Sequence, residues 1–227
     1  MQEKNIIEQQ KKDFLSTLST FSHEIRNPLA LITGEMQMLS DSHPQLCFDE
    51  HWDNIMDNLN YIREILDELS RYQNAGRLSL VPVDAGICLQ HIAASFRPAL
   101  DYLGITLETD IPLDLPQVPL DQTKIRQALF NLLRNAQESI QHSHGKIQIS
   151  ASAVSDGIRL VIRDNGCGMT AQQMEHVFHP FVTYKPGGTG LGLAVTRQII
   201  EAHHGTLDVQ STVDEGTTFY IFLPCDG

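Results

Sequence analysis

The chain has 227 residues, of which 41% are hydrophobic and 19% charged, and this ordinary balance predicts a soluble globular protein with one large domain or two small ones. Its formal net charge of −12 argues against a general nucleic-acid-binding protein, because nothing balances the repulsion from phosphate. The four cysteines are widely spaced and no apolar run approaches the length of a membrane span, so we expect a cytosolic chain with reduced thiols and no membrane contact within this segment.

The first predicted element is a long amphipathic helix over residues 3–40. Its apolar residues recur at steps of three, four and seven, which is typical of the buried seam of a bundle: Ile7, Phe14, Leu18, Phe21, Ile25, Ile32, Met36 and Leu39. His23 lies midway between two seam positions, so we expect it to face solvent. Glu24 follows it directly, and Asn27 lies one helical turn further along the same face. Pro28 removes a backbone donor, which predicts a bend just beneath the histidine.

A loop over residues 42–50 and a second amphipathic helix follow. The apolar stripe of that helix consists of Ile55, Leu59, Ile62, Leu66 and Leu69. The helix is expected to end near Gly76, a typical stop signal, so the two helices form an antiparallel hairpin. Because one hairpin cannot bury both of its apolar stripes, we favour a dimeric four-helix bundle. A monomeric hairpin packed on the rest of the chain is the alternative.

After residue 76 the pattern changes to short strands and helices, which predicts an α+β or α/β sandwich with helices on one face of a sheet. Alternating apolar residues predict strands at 78–83, 105–108, 146–153, 157–163, 205–212 and 217–223. Asp84 and Asp121 are typical caps of two helices, and a third helix is predicted over residues 191–203. The proline-bearing segment 111–119 predicts a loop.

Two carboxamides, Asn131 and Asn135, lie four residues apart on one face of the helix that Asp121 caps. An amide oxygen is a suitable hard ligand for Mg²⁺, and an amide nitrogen can donate to phosphate. A solvated polar face is the alternative interpretation of this pair.

A second motif, Asp-Asn-Gly-Cys-Gly-Met at residues 164–169, follows a predicted strand. The carboxylate of Asp164 can accept a hydrogen bond from an exocyclic amine, and the glycines allow the backbone to approach a flat ring. A plain tight turn is the alternative.

Two further motifs complete the series. Phe178 and Phe181 form an aromatic pair that can clamp a loop or close a core. The sequence Gly-Gly-Thr-Gly-Leu-Gly-Leu at residues 187–193 runs into a helix, and such a loop offers free N–H groups and a helix N-terminus to a polyphosphate. A glycine-rich loop alone is a weak signal.

In this order, the four motifs resemble the N, G1, F and G2 boxes of the GHKL ATPases, whose Bergerat ATP-binding fold occurs in gyrase, Hsp90, MutL and sensor histidine kinases. The segment His-Glu-Ile-Arg-Asn-Pro-Leu at residues 23–29 resembles the H box of a histidine kinase. By this resemblance the chain is the catalytic core of a two-component sensor histidine kinase. Residues 1–76 would then form its dimerisation and phosphoacceptor domain, and residues 77–227 its ATP-binding domain.

The resemblance also implies roles for individual residues. His23 would be the phosphoacceptor, Glu24 would accept or orient its proton, and Asn27 would orient water for attack on a phosphorylated regulator. Asn135 would bind Mg²⁺, and Asp164 would recognise the amine of adenine. The rest of the ATP site would comprise Asn131, Arg134, Lys185, Gly166, Gly168, Gly188, Thr189, Gly190, Leu191 and Gly192.

Asn131 stands where the hydrolytic members of this superfamily carry a glutamate that activates water. An amide cannot take a proton from water, so ATP is expected to give its phosphoryl group to His23 instead. Few residues separate Phe181 from Gly188, a short loop that resembles the nitrogen-regulator type of kinase. Arg134 is the better candidate for phosphate contact, because Lys185 is equally consistent with a solvated loop lysine.

The expected partners are a second copy of the chain and the receiver domain of a response regulator, which would take the phosphoryl group on an aspartate. The chain would lie in the cytoplasm, as an independent protein or as the cytosolic part of a membrane receptor. Two other functions remain open: a scaffold that binds ATP without transferring phosphate, and an ATP-driven clamp of the gyrase or Hsp90 kind.

Overall fold

The computed structural model describes residues 2–185 and 187–225, and residues 2–16 as helical backbone only. The side chains of the predicted seam positions Ile7 and Phe14, and the outermost ends of the two predicted domains, lie outside what the structure describes. The chain divides into two compact units, residues 1–74 and residues 75–227.

The first unit is a helical hairpin. Helix α1 spans Gln2–Ser42 and continues through Pro28, and helix α2 spans Glu50–Gln73. The connection predicted as a loop contains a short 3₁₀ helix, Pro44–Phe48. Asp49 caps α2, since its carboxylate accepts a hydrogen bond from the backbone N–H of His51 at 2.8 Å.

The seam that the sequence predicted for α1 is only partly buried within this hairpin. Leu29, which that seam omitted, is buried together with Leu59 and Leu66 of α2. The partly buried residues packed on this cluster are Ile25, Met36 and Met56. The other predicted seam residues on this side of α1, among them Phe21, Ile32 and Leu39, are exposed.

The second unit is built on a five-stranded mixed sheet with strand order β2-β4-β5-β7-β6. Its strands are β2 (Thr106–Asp110), β4 (Lys146–Val154), β5 (Gly157–Asp164), β6 (Thr206–Thr212) and β7 (Gly216–Pro224). Strands β2 and β4 are parallel, and the other neighbours are antiparallel. Alternation along β4 and β5 turns one apolar row, including Ile147, Ile149, Ile158 and Leu160, toward the core.

Helices cover that apolar face. They are α3 (Ala85–Tyr102), α4 (Gln122–Ser139), the short α5 (Ala171–His176) and α6 (Gly192–Ala202). Helix α4 contacts β4, β5 and β7, and its apolar side is fully buried at Ile125, Leu132 and Leu133. The expected sandwich with helices on one face of a sheet is confirmed.

One prediction for this unit is wrong. The segment 111–119 was expected to be a loop, but Gln117–Leu120 forms strand β3, which pairs antiparallel with β1 (Val81–Asp84) as a separate two-stranded ribbon. Pro119 lies opposite Pro82 in this pairing. Proline is tolerated in a two-stranded ribbon because a strand there has a free edge that needs no donor, and the sequence signal for a loop was misleading for that reason.

A buried histidine fixes the position at which α4 begins. His203, at the end of α6, is only 3% exposed, and its Nε2 accepts a hydrogen bond from the backbone N–H of Asp121 at 3.0 Å. Its Nδ1 lies 2.7 Å from the carbonyl of Ile199, so Nδ1 carries the proton and donates it there. Asp121 in turn caps α4 by accepting from the N–H of Lys124.

Candidate functional site

The carboxylate of Asp164 lies at the end of β5 and is only 4% exposed. Its Oδ1 accepts hydrogen bonds from the Ser139 hydroxyl at 3.1 Å, the Gly166 N–H at 2.9 Å and the Thr217 N–H at 3.3 Å. Burial raises the pKa of Asp164 above its ordinary value, against the opposing effect of these donors. Since the bonds to described residues all involve Oδ1, Oδ2 remains available to accept from a ligand.

The turn after Asp164 requires glycine at two positions. A Cβ on Gly166 would overlap the side chain of Ser139. Gly168 has φ +65°, and a Cβ there would overlap the carbonyl oxygen of Thr212. The backbone of Cys167 also donates to the carbonyl of Ser139 at 3.0 Å. The turn is therefore held between the end of α4 and the β6–β7 hairpin. Residues larger than glycine do not fit at positions 166 and 168.

The outer side of α4 carries a cluster of charged and amide groups. Lys185 donates through Nζ to Asn135 Oδ1 at 3.2 Å and to Glu138 Oε2 at 2.6 Å. Arg134 donates through Nε to Glu138 Oε1 at 2.9 Å. Burial acts to raise the pKa of Glu138, but the contacts with Lys185 and Arg134 outweigh it and hold that pKa below its usual value.

This cluster fits the expected Mg²⁺ ion chemically. Asn135 and Glu138 present two oxygen atoms that together hold one ammonium group. An amide oxygen beside a carboxylate oxygen is also the type of ligand that Mg²⁺ prefers. Asn135, predicted from sequence as a ligand, is therefore well suited to the role, and Glu138 is a neighbour that the sequence analysis did not identify.

The glycine-rich segment is closed at its base. The backbone N–H of Phe181 donates to the carbonyl of Gly190 at 3.0 Å. Gly190 has φ +70°, and a Cβ there would overlap the backbone of Phe181 and Val182. Thr189 Oγ1 accepts from the N–H of Leu191 at 3.3 Å, and Leu191 is almost fully buried where α6 begins. Gly188 is packed equally closely, since a Cβ there would overlap the hydroxyl of Thr183.

Asn131 connects α4 to the start of α6. Its Nδ2 donates to the carbonyl of Gly192 at 3.0 Å and lies 3.4 Å from Thr196 Oγ1. One compact unit thus contains Asn131, Asn135, Asp164 and the glycine-rich segment. Described contacts link the three side chains to neighbouring parts of that unit. The chemical groups that a nucleotide needs, namely amide groups, a carboxylate and backbone N–H groups at a helix N-terminus, are present in this unit.

The residues of the opening motif lie on α1 and are exposed: His23, Glu24 and Asn27. In the described part of the chain, no side chain is hydrogen-bonded to any of these three. Their neighbour Arg26 is held firmly, since its Nη2 donates to the Leu66 carbonyl at 3.1 Å and lies 3.2 Å from Asp67 Oδ1. Arg26 was not predicted as a site residue, because nothing in its sequence context indicates a partner on α2.

The sequence analysis also missed three further residues that contact the site: Ser139, Thr217 and Thr196. Ser139 and Thr217 lie 25 and 53 positions from the carboxylate they contact, which leaves no local sequence pattern. Thr196 was detectable in principle, because it is a polar residue among the buried apolar residues of α6.

Of the helices in the part of the chain that the structure describes, none has the length and apolarity to cross a bilayer.

Two family models match the chain. The His Kinase A (phospho-acceptor) domain matches residues 10–76. The histidine kinase-, DNA gyrase B- and HSP90-like ATPase model matches residues 120–227. The boundary between the two compact units, after residue 74, lies close to the end of the first match.

Curated relatives resemble nearly the whole chain. Sporulation kinase B of Bacillus subtilis is 34% identical over 97% of this chain and 52% of its own length. The sensory histidine kinase/phosphatase NtrB of Vibrio alginolyticus is 31% identical over 89% of this chain and 60% of its own length. The chain therefore spans about half the length of the curated relatives it matches.

Solved structures agree with this similarity. Full-length ShkA in complex with AMPPNP has a TM-score of 0.76 at 25% identity, over 92% of this chain and 46% of its own. ThkA in complex with the response regulator protein TrrA has a TM-score of 0.62 at 25% identity, over 91% of this chain and 60% of its own.

Proposed function

The chain belongs to the histidine kinase family, and on this premise we propose that it is an ATP-dependent kinase core that phosphorylates His23 and passes the phosphoryl group to an aspartate of a response regulator. Residues 1–76 act as the dimerisation and phosphoacceptor domain, and residues 77–227 as the ATP-binding domain. The single observation that carries the proposal is the occurrence of an exposed His-Glu pair and an intact nucleotide-binding motif set in one chain.

ATP is recognised at its base by Asp164. The free Oδ2 accepts from the exocyclic amine of adenine, while Oδ1 stays fixed by its three donors. Gly166 and Gly168 allow the tight turn that follows Asp164. The similar protein ShkA was solved in complex with AMPPNP, which supports a nucleotide in the corresponding unit here.

The phosphates are bound at the other end of the site. Gly190 and Gly192 supply backbone N–H groups at the start of α6. The contacts of Gly188, Thr189 and Leu191 hold this segment in shape. Asn135 binds Mg²⁺, which when present neutralises charge on the polyphosphate. Arg134 and Lys185 lie beside Asn135, and their positive charges favour phosphate in the same place.

In the transfer step, an imidazole nitrogen of His23 forms a bond to the γ-phosphorus while the bond to the bridging oxygen breaks, and ADP leaves. Glu24 accepts or orients the proton that the imidazole loses. The acyl phosphate on the regulator is later attacked by water, which Asn27 orients by hydrogen bonding. The name of the relative NtrB, a histidine kinase/phosphatase, supports this second activity.

We further propose that the hairpin dimerises. Helix α1 leaves Ile32 and Leu39 exposed at a spacing of seven, and helix α2 leaves Ile55 and Ile62 exposed at the same spacing. Residues seven apart lie on one face of a helix, so each helix keeps an apolar stripe that a second hairpin can cover. The four stripes then form the core of a four-helix bundle.

The partner in phosphotransfer is a receiver domain, as the ThkA complex with TrrA supports. The site of action is the cytoplasm, where ATP and receiver domains are available. Incubation with γ-labelled ATP and Mg²⁺ tests the whole proposal. Acid-labile label retained on the protein is expected for a histidine kinase. Free phosphate would indicate an ATP-driven clamp, and neither product would indicate a scaffold, so both results contradict the proposal.

A further inference from the structure

Asn131, Gly192 and Thr196 form a compact group between α4 and α6, which we term the amide clasp. The Asn131 Nδ2 donates to the Gly192 carbonyl at 3.0 Å, and the Thr196 hydroxyl donates to the same carbonyl at 2.9 Å. The Asn131 nitrogen also lies within 3.4 Å of Thr196 Oγ1. Thr196 is fully buried, with 0% of its surface exposed, so water cannot replace its bonds.

The clasp requires a donor at position 131. Both atoms that face the Asn131 side chain are oxygens, and the hydroxyl proton of Thr196 is already used on Gly192. A carboxylate at this position would place negative charge against a carbonyl oxygen and a hydroxyl oxygen, without a proton between them. The amide nitrogen of Asn131 is therefore the atom that holds the clasp. This role is separate from the expectation that an amide, unlike a glutamate, cannot take a proton from water.

The clasp acts at the start of α6. Gly192 is the first residue of that helix and lies within the glycine-rich segment, residues 187–193. Asn131 lies one helical turn before Asn135 on α4. A bond from Asn131 to Gly192 therefore sets the position of the first turn of α6 relative to the helix that carries the expected metal ligand.

We propose that Asn131 and Thr196 are positioning residues, which fix the phosphate-binding turn of α6 for the nucleotide without themselves contacting Mg²⁺. This inference rests on the proposed nucleotide site. It requires that loss of the clasp weakens nucleotide binding whether or not Mg²⁺ is present, because the backbone N–H groups of the turn act on phosphate directly.

The test measures the affinity of the full chain for a fluorescent ATP analogue, once with saturating Mg²⁺ and once with EDTA. Thr196→Val removes the hydroxyl at nearly constant volume, and we expect it to weaken binding roughly three- to tenfold in both conditions, the range for one lost hydrogen bond. Thr196→Ser keeps the hydroxyl and should restore most of the affinity. Asn131→Asp should reproduce the loss in both conditions.

Thr218→Val, a partly exposed threonine on β7 outside the clasp, serves as the matched control and should bind like the unmodified chain. A folded Thr196→Val protein with unchanged affinity would overturn the inference. A loss in Asn131→Asp that occurs only with Mg²⁺ would overturn it too, because it would assign Asn131 to the metal. Absence of binding by the unmodified chain would instead refute the nucleotide site itself.

Discussion

The two units of this protein support their functional residues in opposite ways. In the hairpin, His23, Glu24 and Asn27 are exposed, and their neighbour Arg26 is hydrogen-bonded to the opposite helix. In the second unit, Asp164 is held by three donors from separate elements. The proposed phosphoacceptor lies on an exposed helix surface, whereas the proposed adenine-binding carboxylate is fixed by contacts within a core. The hairpin also leaves Ile32, Leu39, Ile55 and Ile62 exposed at a spacing of seven, which is why we propose a second copy for that unit.

The largest expected effect is the loss of phosphorylation on the hairpin while nucleotide binding by the sheet unit is retained. His23→Gln should abolish phosphorylation, because glutamine has no nucleophilic ring nitrogen, while ATP binding persists since the nucleotide site is built from residues after 77. Retained acid-labile label and affinity for a fluorescent ATP analogue are the two measurements. His91→Gln, at an exposed histidine on α3, is the matched control. Acid-labile label on the His23→Gln protein would show that the phosphoacceptor is another residue.

A second prediction distinguishes two activities on one exposed helix face. Asn27→Ala should lower dephosphorylation of the regulator by about a hundredfold and leave autophosphorylation unchanged, because an amide orients water but is not a strong base. Glu24→Ala should mainly lower autophosphorylation. Both rates and the melting temperature are measured for each variant. If Asn27 only caps the backbone freed by Pro28, both rates and the melting temperature will fall together, contrary to the prediction.

The third prediction concerns the need for a second copy. Ile62→Glu should weaken dimerisation by at least about thirtyfold, because a charge would be buried in an apolar interface without a partner. Leu113→Glu, at an exposed apolar position of the sheet unit, should leave the oligomeric state unchanged. Light scattering over a range of concentrations measures both. A folded monomer from the unmodified chain would contradict the bundle.

A smaller effect, on nucleotide affinity, is expected from a change at the buried carboxylate of Asp164 in the sheet unit. Asp164→Asn should lower nucleotide affinity by roughly tenfold, the cost of one hydrogen bond to a charged group. Because burial raises the pKa of Asp164, the unmodified chain should also lose affinity as the pH falls and the carboxylate takes up a proton. The Asp164→Asn variant should lack that part of the pH dependence. Unchanged affinity in the folded variant would move the adenine site elsewhere.

The smallest expected effect is on the stability of the sheet unit. Burial lowers the pKa of His203 below its ordinary value of 6.5, with Asp121 opposing and His204 adding to the shift. Below about pH 6.5 the unfolded chain therefore binds a proton that the folded chain excludes, and the free energy of unfolding falls with acidity. We expect the melting temperature to drop by about 2–4 °C between neutral and mildly acidic pH.

His203→Gln tests this directly, since it should reduce the acid-dependent drop. His91→Gln is the control, because that histidine is exposed on α3 and has no part in the pKa shift of His203. An equal drop in the His203 variant and in the unmodified chain would assign the pH dependence to other groups.

Sequence reasoning predicted the features that depend on local chemistry. The helix caps Asp84 and Asp121, the paired amides Asn131 and Asn135 and the two glycine turns are all encoded within a few residues. It failed where a bond joins distant segments. Arg26 reaches Ser70 across 44 positions and Asn131 reaches Thr196 across 65, and no spacing rule connects such pairs. Strand β3 was missed because the prolines of the segment 111–119 are typical of loops.

The closed base of the glycine-rich segment has a consequence for how this protein family can change. The hydrogen bond from Phe181 to Gly190 brings the ends of the intervening segment together independently of what lies between them. Doubling the length of such a segment costs only about 0.6 kcal/mol of chain entropy. Insertions between residues 182 and 189 should therefore cost little free energy of unfolding, whereas an insertion that displaces Lys185 would break its contacts with Asn135 and Glu138.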